Sequence, residues 1–527
     1  MASTWSIGLT GSVMTDTLTT DVLVIGGGPA GTWAAIRAAE AGVDVVLADK
    51  GYTGTSGATA SAGTGVWYVD PSSRDAAIAS REKLGAGLTE RSWMTRVLDE
   101  TYSRMDELAR VQRYPFPVGP DGLLVKDDLQ GPEYMRRQRL RVLRLGVRIL
   151  DHTPALQLLV DDAGVVSGAV AVERKTGRTV RIEAAAVVLA TGGCAFQSKT
   201  LGCDVDTGDG ALMAVEAGAV LSGMEFSNAY AIAPKGTGVT KNAFYNCATF
   251  YRADGSVFEI PRSKDRTLLA RTLLTEPVLA CIDKATLADQ AMMRVGQPNF
   301  FLTFDRLGIN PFAERFEITL VTEGTIRGTG GVRIAGNDCG TDVPGLYAAG
   351  DTATRELIAG AWTGGGAHNA SWAACSGGWA GEGAAAFAVD RGRPSRAHVI
   401  GVPGPFDFRG VVAEVRRQVL PYEINYLRHA SRLTPALSVL HDVWSATRVG
   451  PVAAGEDLFR AREAAAMLAH ARWMYHAALQ RTESRGMHRR FDYTELDPAQ
   501  EYRLVTGGLD ELWSQPESEW ISEGRAA

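Results

Sequence analysis

Patterns for binding a metal and for crossing a membrane are both missing from this chain of 527 residues. Its cysteines form no C-x-x-C pair and are scattered as Cys194, Cys203, Cys247, Cys281, Cys339 and Cys375. That scatter disfavours a zinc site, an internally ligated iron–sulfur cluster and a disulfide framework. No apolar run is long enough to span a bilayer, and residues 1–20 lack the basic start and apolar core of a signal peptide. We therefore expect a cytoplasmic protein with reduced thiols, no bound metal and no direct insertion into a membrane.

An excess of either charge is also lacking, since the net charge is −6 and 22% of the residues are charged. This balance gives no support to a nucleic-acid or anionic-membrane partner. The hydrophobic content of 45% is that of an ordered globular protein. Because 527 residues exceed what one compact core holds, we expect two or three domains in contact.

Glycine, in contrast, is abundant and clusters where predicted strands meet predicted helices. Residues 21–25 (DVLVI) form an apolar run typical of a buried parallel strand, and Gly26-x-Gly28-x-x-Gly31 leads from it into a helical stretch and a second strand. Gly26 permits the tight turn, Gly28 lets the backbone approach a pyrophosphate, and Gly31 lets helix and strand pack closely. Asp49, at the end of the second strand, is placed to accept hydrogen bonds from a ribose diol. The pattern predicts a dinucleotide site with the phosphates at the helix N-terminus.

Later segments favour FAD over NAD as the dinucleotide. A buried strand leads into Thr191-Gly192-Gly193, which is a second close approach of the backbone. Residues 345–351 (GLYAAGD) return a strand to the sheet and end in an acid suited to a ribityl hydroxyl. The glycine-rich turn 364–366, followed by Asn369 and Ser371, can bring helix N-terminal amides to the pyrimidine carbonyl of a flavin. An isolated NAD domain needs none of these features.

Three further motifs follow the glycine fingerprint in order: Thr207-Gly208-Asp209-Gly210, Met224-Glu225-Phe226, and RTESRGMHRRFDY at residues 481–493. With them the chain, over about residues 20–493, resembles the flavoprotein subunits of succinate dehydrogenase and fumarate reductase, L-aspartate oxidase and adenylylsulfate reductase. The resemblance implies an FAD-binding domain, a mobile capping domain inserted in it and a C-terminal helical domain. It also implies hydride transfer between flavin N5 and a substrate carbon held under the cap. Adenylylsulfate reductase is the exception, because it forms a sulfite adduct on the flavin.

The distribution of residue types agrees with that division. An aromatic, loop-rich segment from about residue 227 to 330 interrupts the strand–helix pattern, and the pattern from about residue 408 is helical. We predict an α/β protein: a Rossmann-like FAD-binding domain with an inserted α+β capping domain and a C-terminal helical domain. The predicted bounds are 20–226 and 333–405 for the FAD-binding domain, 227–332 for the capping domain, 406–493 for the helical domain and 494–527 for a polar C-terminal tail.

The motifs and the resemblance together give a set of expected FAD-binding residues. They are Gly26, Gly28, Pro29, Ala30, Gly31, Asp49, Lys50, Ser56, Thr59, Gly63, Ala190, Thr191, Gly192, Asp209, Gly350, Asp351, Asn369 and Ser371. Family members with covalent flavin carry a histidine that matches Gly57 of this chain. Glycine offers no nucleophile, so we expect FAD to be held non-covalently.

The substrate clamps of the dicarboxylate enzymes are replaced. Their two histidines match Tyr230 and Ile326, and the arginine that clamps the substrate carboxylate matches about Thr363. A bidentate arginine is hard to replace in carboxylate recognition. Succinate and fumarate are therefore poor candidates for the substrate.

Three residues are candidates for catalysis. Arg266, in the segment RTLLAR, matches the family's proton-transferring arginine, although an ordinary helix-surface arginine fits the pattern equally well. His368 matches an active-site histidine of the adenylylsulfate reductase branch and suits acid–base work near neutral pH; a structural histidine is the alternative. Tyr230 stands where a substrate histidine would be. Trp67, Asn228 and Trp362 are further candidates for lining the pocket, whereas the charged residues at 481–488, His488 included, are expected to be structural.

The leading hypothesis is an FAD-dependent oxidoreductase acting on a small organic substrate other than succinate or fumarate, by hydride or electron-pair transfer at flavin N5. One alternative is an adenylylsulfate-reductase-like catalytic subunit that works with a separate iron–sulfur, ferredoxin-like protein. The other is a non-catalytic flavin subunit that relays electrons. A homodimer and a heteromer with an iron–sulfur subunit both remain open.

Overall fold

The computed structural model describes residues 16–119, 121–240, 242–260, 266–392, 396–453 and 455–524. Within these ranges, no helix is both long and apolar enough to cross a membrane. Nor does the described part of the chain group three or more His, Cys, Asp or Glu side chains in a way that could hold a metal ion.

The N-terminal part alternates strands and helices. Its strands are β1 (Asp16–Ile25), β2 (Val45–Ala48), β3 (Gly63–Gly65), β4 (Asp128–Gln130), β5 (Arg148–Leu150), β6 (Ala155–Asp161), β7 (Val166–Val172), β8 (Thr179–Leu189) and β9 (Leu221–Ser222). Its helices are α1 (Pro29–Glu40), α2 (Arg74–Gly85), α3 (Arg91–Arg110), α4 (Gly131–Arg144) and α5 (Asp209–Glu216).

The capping segment forms a separate small α+β layer. It contains β10 (Ala229–Pro234), β11 (Thr249–Tyr251), β12 (Val278–Cys281) and β13 (Phe316–Gly324), with α6 (Thr267–Leu273), α7 (Leu287–Gly296) and α8 (Pro298–Leu307). The strands pair antiparallel in the order β10-β13-β12-β11. Phenylalanine and tyrosine side chains fill the core beneath this sheet, which accounts for the aromatic composition of the segment.

The chain then returns to the first layer and ends in helices. The return supplies β14 (Gly331–Val332), β15 (Leu346–Ala348), α9 (Glu356–Ala359), α10 (Gly365–Arg391) and β16 (Ala397–Val399). The helical part contains α11 (Phe408–Val419), α12 (Tyr422–Asn425), α13 (Ala430–Val449) and α14 (Leu458–Gln480). The last elements are β17 (Leu504–Gly507), β18 (Trp513–Pro516) and α15 (Glu517–Ser522).

An eight-stranded mixed sheet is the centre of the molecule, in the order β16-β6-β7-β8-β1-β2-β5 with β15 beside the end of β8. The strands β5, β2, β1, β8 and β15 run parallel. Their apolar residues, such as Val22–Val24, are fully buried, as expected for a parallel sheet covered on both faces. The predicted α/β fold is confirmed. Strand β1 begins at Asp16, before the predicted start at residue 21, because the long β8 offers its polar residues pairing partners such as Val180.

Helices α1 and α10 pack on each other through their backbones. A methyl group on Gly377 would overlap the carbonyl of Ala30, and one on Gly381 would overlap the carbonyl of Ala34. Only glycine lets the two helices approach this closely. The contact fixes where the N-terminus of α10 lies relative to that of α1.

The prediction of a polar tail at residues 494–527 is wrong, because this segment forms the strands β17 and β18 and the helix α15. Val505 of β17 pairs with Ser222 of β9, and β17 also pairs with β18, so that the segment completes a four-stranded sheet. Glu517 of α15 forms ion pairs with Arg333 (2.7 Å) and Arg503 (2.7 Å). The polar composition of the segment did not reveal these strands, because their partner lies far away in the sequence.

We expect Gly381→Ala to lower the free energy of unfolding by about 1–3 kcal/mol, because the added methyl group forces α1 and α10 apart. Alanine is the better helix former, so propensity alone predicts the opposite sign. Denaturant unfolding of the FAD-loaded protein measures the change. Ala386→Ser, an exposed substitution on the same helix, is the control and should stay within about 0.5 kcal/mol. A stabilised Gly381→Ala variant would contradict the close packing.

Candidate active site

The first cavity opens at the carboxyl ends of β1, β2, β8 and β15, where the N-termini of α1 and α10 also lie. This is the usual ligand position in a parallel α/β sheet. The expected cofactor residues that line it are Gly26, Gly28, Pro29, Ala30, Asp49, Lys50, Ser56, Thr59, Ala190, Thr191, Gly192, Asp209, Gly350, Asp351 and Asn369. Gly57, the position of the missing flavin-linking histidine, lines it as well.

The other expected cofactor residues lie elsewhere. Gly31 packs under the turn, where a side chain would overlap the carbonyl of Gly26. Gly63 lines a second cavity and donates its N–H to Oε1 of Gln297 (2.9 Å). The Ser371 hydroxyl accepts the N–H of Trp67 (3.0 Å). These residues shape the site without lining the first cavity.

Gly28 presents open space to the first cavity. A Cβ atom at this position would meet no other atom within 4 Å, and its backbone has an ordinary φ of −74°. A ligand's phosphate could therefore approach the backbone here, at the start of α1. Gly26, by contrast, has a φ of +109° and lies directly against the carbonyl of Ala190.

Asp49 holds the loop that follows β2. Its carboxylate accepts the N–H groups of Gly27 (2.6 Å) and Gly51 (2.6 Å) and the hydroxyl of Ser56 (3.1 Å). The carboxylate thus ties the glycine turn to the second strand end. It lies where an acid would meet the ribose of a dinucleotide.

Lys50 joins the first cavity to the helical domain. Its ammonium contacts Asp209 (2.6 Å), Thr207 (2.7 Å) and, across the domain boundary, Glu463 of α14 (2.8 Å). Burial by itself lowers the pKa of this ammonium, but the two carboxylates override that effect and the pKa is raised. Lys50 therefore stays charged inside the protein.

Two acids lie deeper in the same cavity. Burial raises the pKa of Asp206 well above its ordinary value, and the nearby carboxylate of Asp351 adds to the effect. Burial also raises the pKa of Asp351, although Arg355 and Arg327 oppose it. The fully buried Arg355 pairs with Asp351 and donates to the carbonyls of Thr325 and Gly328.

The donor set of this cavity fits FAD. Backbone amides at two helix N-termini suit the pyrophosphate and a flavin carbonyl, and the acids at the strand ends suit ribose and ribityl hydroxyls. Asn369 donates from Nδ2 to the carbonyl of Ile326 (2.9 Å), and its buried Oδ1 has no hydrogen-bond partner within the described residues. A buried amide oxygen without a partner is costly, which is the expected state of a cofactor ligand before its partner binds.

A second cavity of about 410 Å³ lies between the cap and the FAD-binding domain. Its polar and charged lining residues are Thr64, Asn228, Tyr230, Thr240, Asn246, Arg266, Glu323, Arg327, Trp362, Thr363 and Tyr426. It meets the first cavity at Thr64, Arg327 and Gly366, which line both. A molecule in the second cavity would therefore lie against whatever fills the adjoining end of the first.

The candidate catalytic residues are placed differently from one another. Arg266 lines the second cavity, and its backbone N–H donates to the Tyr426 hydroxyl (2.7 Å) at the start of α6. Tyr230 also lines it, but its hydroxyl donates to the Val419 carbonyl (2.8 Å) on the helical domain. His368 lines neither cavity; its Nδ1 is 2.6 Å from the Gly364 carbonyl. Of the three candidates, Arg266 and Tyr230 line the second cavity and His368 does not.

Of the further pocket candidates, Asn228 and Trp362 line the second cavity, whereas Trp67 does not. Trp67 lies against the His368 ring, with ring centroids 4.4 Å apart.

Arg327 and Glu323 are residues of this site that the sequence motifs did not predict. They flank the hinge at which β13 of the cap returns to the FAD-binding domain, and their side chains approach within 3.7 Å. Glu323 is the only carboxylate among the described residues that line the second cavity. Arg327 directly follows Ile326, the position that matches a histidine of the dicarboxylate enzymes. The signal in the sequence was that a polar side chain, Arg327, stands one position after the place of the lost histidine.

The ion pairs expected within residues 481–488 are present in the structure. Arg481 pairs with Glu225 (2.8 Å) and Glu483 (2.9 Å), and Glu483 pairs with Arg485 (2.6 Å), all fully buried. His488 lies 2.7 Å from an Arg428 nitrogen. Burial lowers the pKa of His488 well below its ordinary value, and Arg428 adds to the effect.

Comparison with known protein families gives two matches. The model of the FAD binding domain matches residues 21–238. The model described as fumarate reductase flavoprotein C-term matches residues 421–516.

Individual proteins match over nearly the whole chain. The L-aspartate oxidase of Mycobacterium tuberculosis is 29% identical over 545 residues, covering 93% of this chain and 96% of the relative. A quinol fumarate reductase of E. coli has a TM-score of 0.81 at 22% identity, covering 95% of this chain and 97% of that chain. The adenylylsulfate reductase of Archaeoglobus fulgidus has a TM-score of 0.73 at 18% identity, covering 95% and 96%. The two structures establish the shared fold.

We expect Gly28→Ala to weaken FAD binding roughly 10-fold or more, because the methyl group occupies space that the pyrophosphate needs. The apoprotein should be as stable as the unchanged protein, since the methyl group meets no atom there. Fluorescence titration of the apoprotein with FAD measures the dissociation constant. Gly296→Ala in the cap, also open to a Cβ atom, is the matched control and should bind FAD normally. If Gly28→Ala binds FAD as tightly as the unchanged protein, the pyrophosphate does not bind at this turn.

Proposed function

We propose that this chain, an FAD-dependent oxidoreductase similar to the fumarate reductase flavoproteins and L-aspartate oxidases, oxidises a small amino acid held in the second cavity. The observation that carries the proposal is the junction of the two cavities at Thr64, Arg327 and Gly366. A substrate in the second cavity would lie beside the flavin end of the first. The volume of about 410 Å³ is suited to a small molecule.

The charges in the second cavity support an amino acid. Arg266 and Arg327 can pair with carboxylate, and the buried Glu323 can accept hydrogen bonds from an ammonium group. The relative from M. tuberculosis is named for L-aspartate, which carries both kinds of group. Succinate and fumarate lack the ammonium group, and Thr363 stands where their arginine clamp would be. An amino acid therefore suits this lining better than either dicarboxylate.

FAD, when bound, supplies N5 as the acceptor or donor of a hydride. The residues of the chain would do the rest. Arg266 would exchange a proton with the substrate from its guanidinium nitrogens, Glu323 would hold the amino group, and the cap would exclude water. Thr240 donates to Oε1 of Glu323 (2.6 Å) and fixes that carboxylate in place. We assign Tyr230 to the wall of the cavity, because its hydroxyl donates to the Val419 carbonyl, and His368 to its support, because it lines neither cavity.

The first test of this function is the absorbance spectrum of the purified protein. Acid precipitation should release free FAD into the supernatant, because Gly57 cannot form the covalent link. Under anaerobic conditions, an L-amino acid from a panel that includes L-aspartate should bleach the flavin, and succinate should not. Bleaching by succinate at an equal rate would overturn the proposed substrate class. Reduction only by a reduced ferredoxin would favour the subunit that works with a separate iron–sulfur protein.

We expect Glu323→Gln to slow the bleaching by the amino acid about 10- to 100-fold, since a charge-assisted hydrogen bond to the ammonium group is lost. Its FAD content should be unchanged, because Glu323 does not line the first cavity. Glu259→Gln, on the exposed surface of the cap, is the matched control and should bleach normally. An unchanged rate in Glu323→Gln would mean that another residue holds the amino group.

A further inference from the structure

Arg327 is the only charged residue that lines both cavities among the residues that the structure describes. It follows β13, on the stretch by which the cap returns to the FAD-binding domain. Its side chain is 30% exposed, and that exposure faces the cavities. A guanidinium at this place is within reach of both a cofactor and a substrate.

Polar groups from three separate segments converge beside Arg327. A Cβ atom on Gly366 would lie 3.2 Å from Oγ1 of Thr64 and 3.3 Å from Nη1 of Arg327. Gly366 belongs to the first turn of α10, whose amides carry the positive end of the helix dipole. Because Gly366 has no side chain, the hydroxyl, the guanidinium and the helix end face the same small space.

No carboxylate among the residues that the structure describes forms a hydrogen bond with Arg327. Glu323 lies 3.7 Å from its Nε, beyond hydrogen-bond distance, and already accepts the Thr240 hydroxyl. Asp351, an acid that lines the first cavity, is paired with Arg355. The outer nitrogens of Arg327 donate no hydrogen bond to another described residue. The planar edge that suits a bidentate carboxylate is therefore available.

We propose that Arg327 determines specificity by holding the carboxylate of the substrate at the junction of the two cavities, a role that the family resemblance would give to an arginine at the position of Thr363. This inference rests on the proposed function, because it assumes that the substrate is an acid. The arginine that binds the carboxylate would then lie in the segment after β13 and not in the loop that precedes α10. The carboxylate would then be held beside Thr64 and Gly366.

The test measures anion binding to the oxidised, FAD-loaded protein, so that it does not depend on turnover. Malonate is the probe, and malonamide, which has the same shape without the charge, is the control ligand. Binding is followed through the change in the flavin absorbance spectrum. We expect malonate to perturb the spectrum of the unchanged protein and malonamide not to do so.

Substitution of Arg327 should weaken this binding selectively. In Arg327→Gln the dissociation constant for malonate should rise about 10- to 100-fold, the loss expected for a charge-assisted pair. Arg327→Lys keeps the charge but not the planar edge, so its affinity should lie between the two. Arg306→Gln, on the exposed face of α8, is the matched control and should bind malonate normally.

Equal malonate affinity in Arg327→Gln and the unchanged protein would overturn the proposal, and so would the absence of malonate binding to the unchanged protein. If Arg327→Gln does not retain FAD, Arg327→Lys decides: unchanged affinity for malonate overturns the assignment, and weakened affinity supports it. Failure of the proposed function can be told apart from failure of this inference. In the first case no amino acid bleaches the flavin, although malonate binding still depends on Arg327.

Discussion

Helices α1 and α10 touch through backbone atoms, and the position of the active site depends on that contact. Gly377 and Gly381 face Ala30 and Ala34 with no side chain between them. Two helix N-termini are thereby brought to the same edge of the parallel sheet. Each contributes amide groups and the positive end of a dipole, so one ligand with phosphates and a ring carbonyl can use both. The junction of the two cavities also takes its position from α10, because Gly366 lies in the first turn of that helix.

Buried charges then join the domains around this centre. Lys50 reaches Glu463 in the helical domain, and Arg481 reaches Glu225 before the cap. Burial and the nearby Glu225 raise the pKa of Glu356 to about 8. Removing one member of such a cluster would leave its partner charged and buried, which costs several kcal/mol. The network therefore fixes the relative position of the domains more strictly than apolar packing alone would.

The substrate cavity depends on segments that are distant in the sequence. Thr64 comes from β3, Arg327 from the hinge of the cap, and Gly366 from the first turn of α10. Tyr230 shows the opposite case, since its sequence position suggested catalysis but its hydroxyl is taken by Val419 of the helical domain. Among the described residues that line this cavity, the charged side chains are two arginines and one carboxylate.

The sequence by itself determined the α/β fold, FAD as the cofactor and most residues of its cavity, because a glycine turn between a strand and a helix is a local feature that short-range spacing reveals. It did not determine the strands at the C-terminus, since β17 exists through pairing with β9 some distance away in the chain. Nor did it identify Arg327, or show that His368 lines neither cavity. The direction of a side chain and the meeting of separate segments are set by packing. Only the tertiary structure decided them.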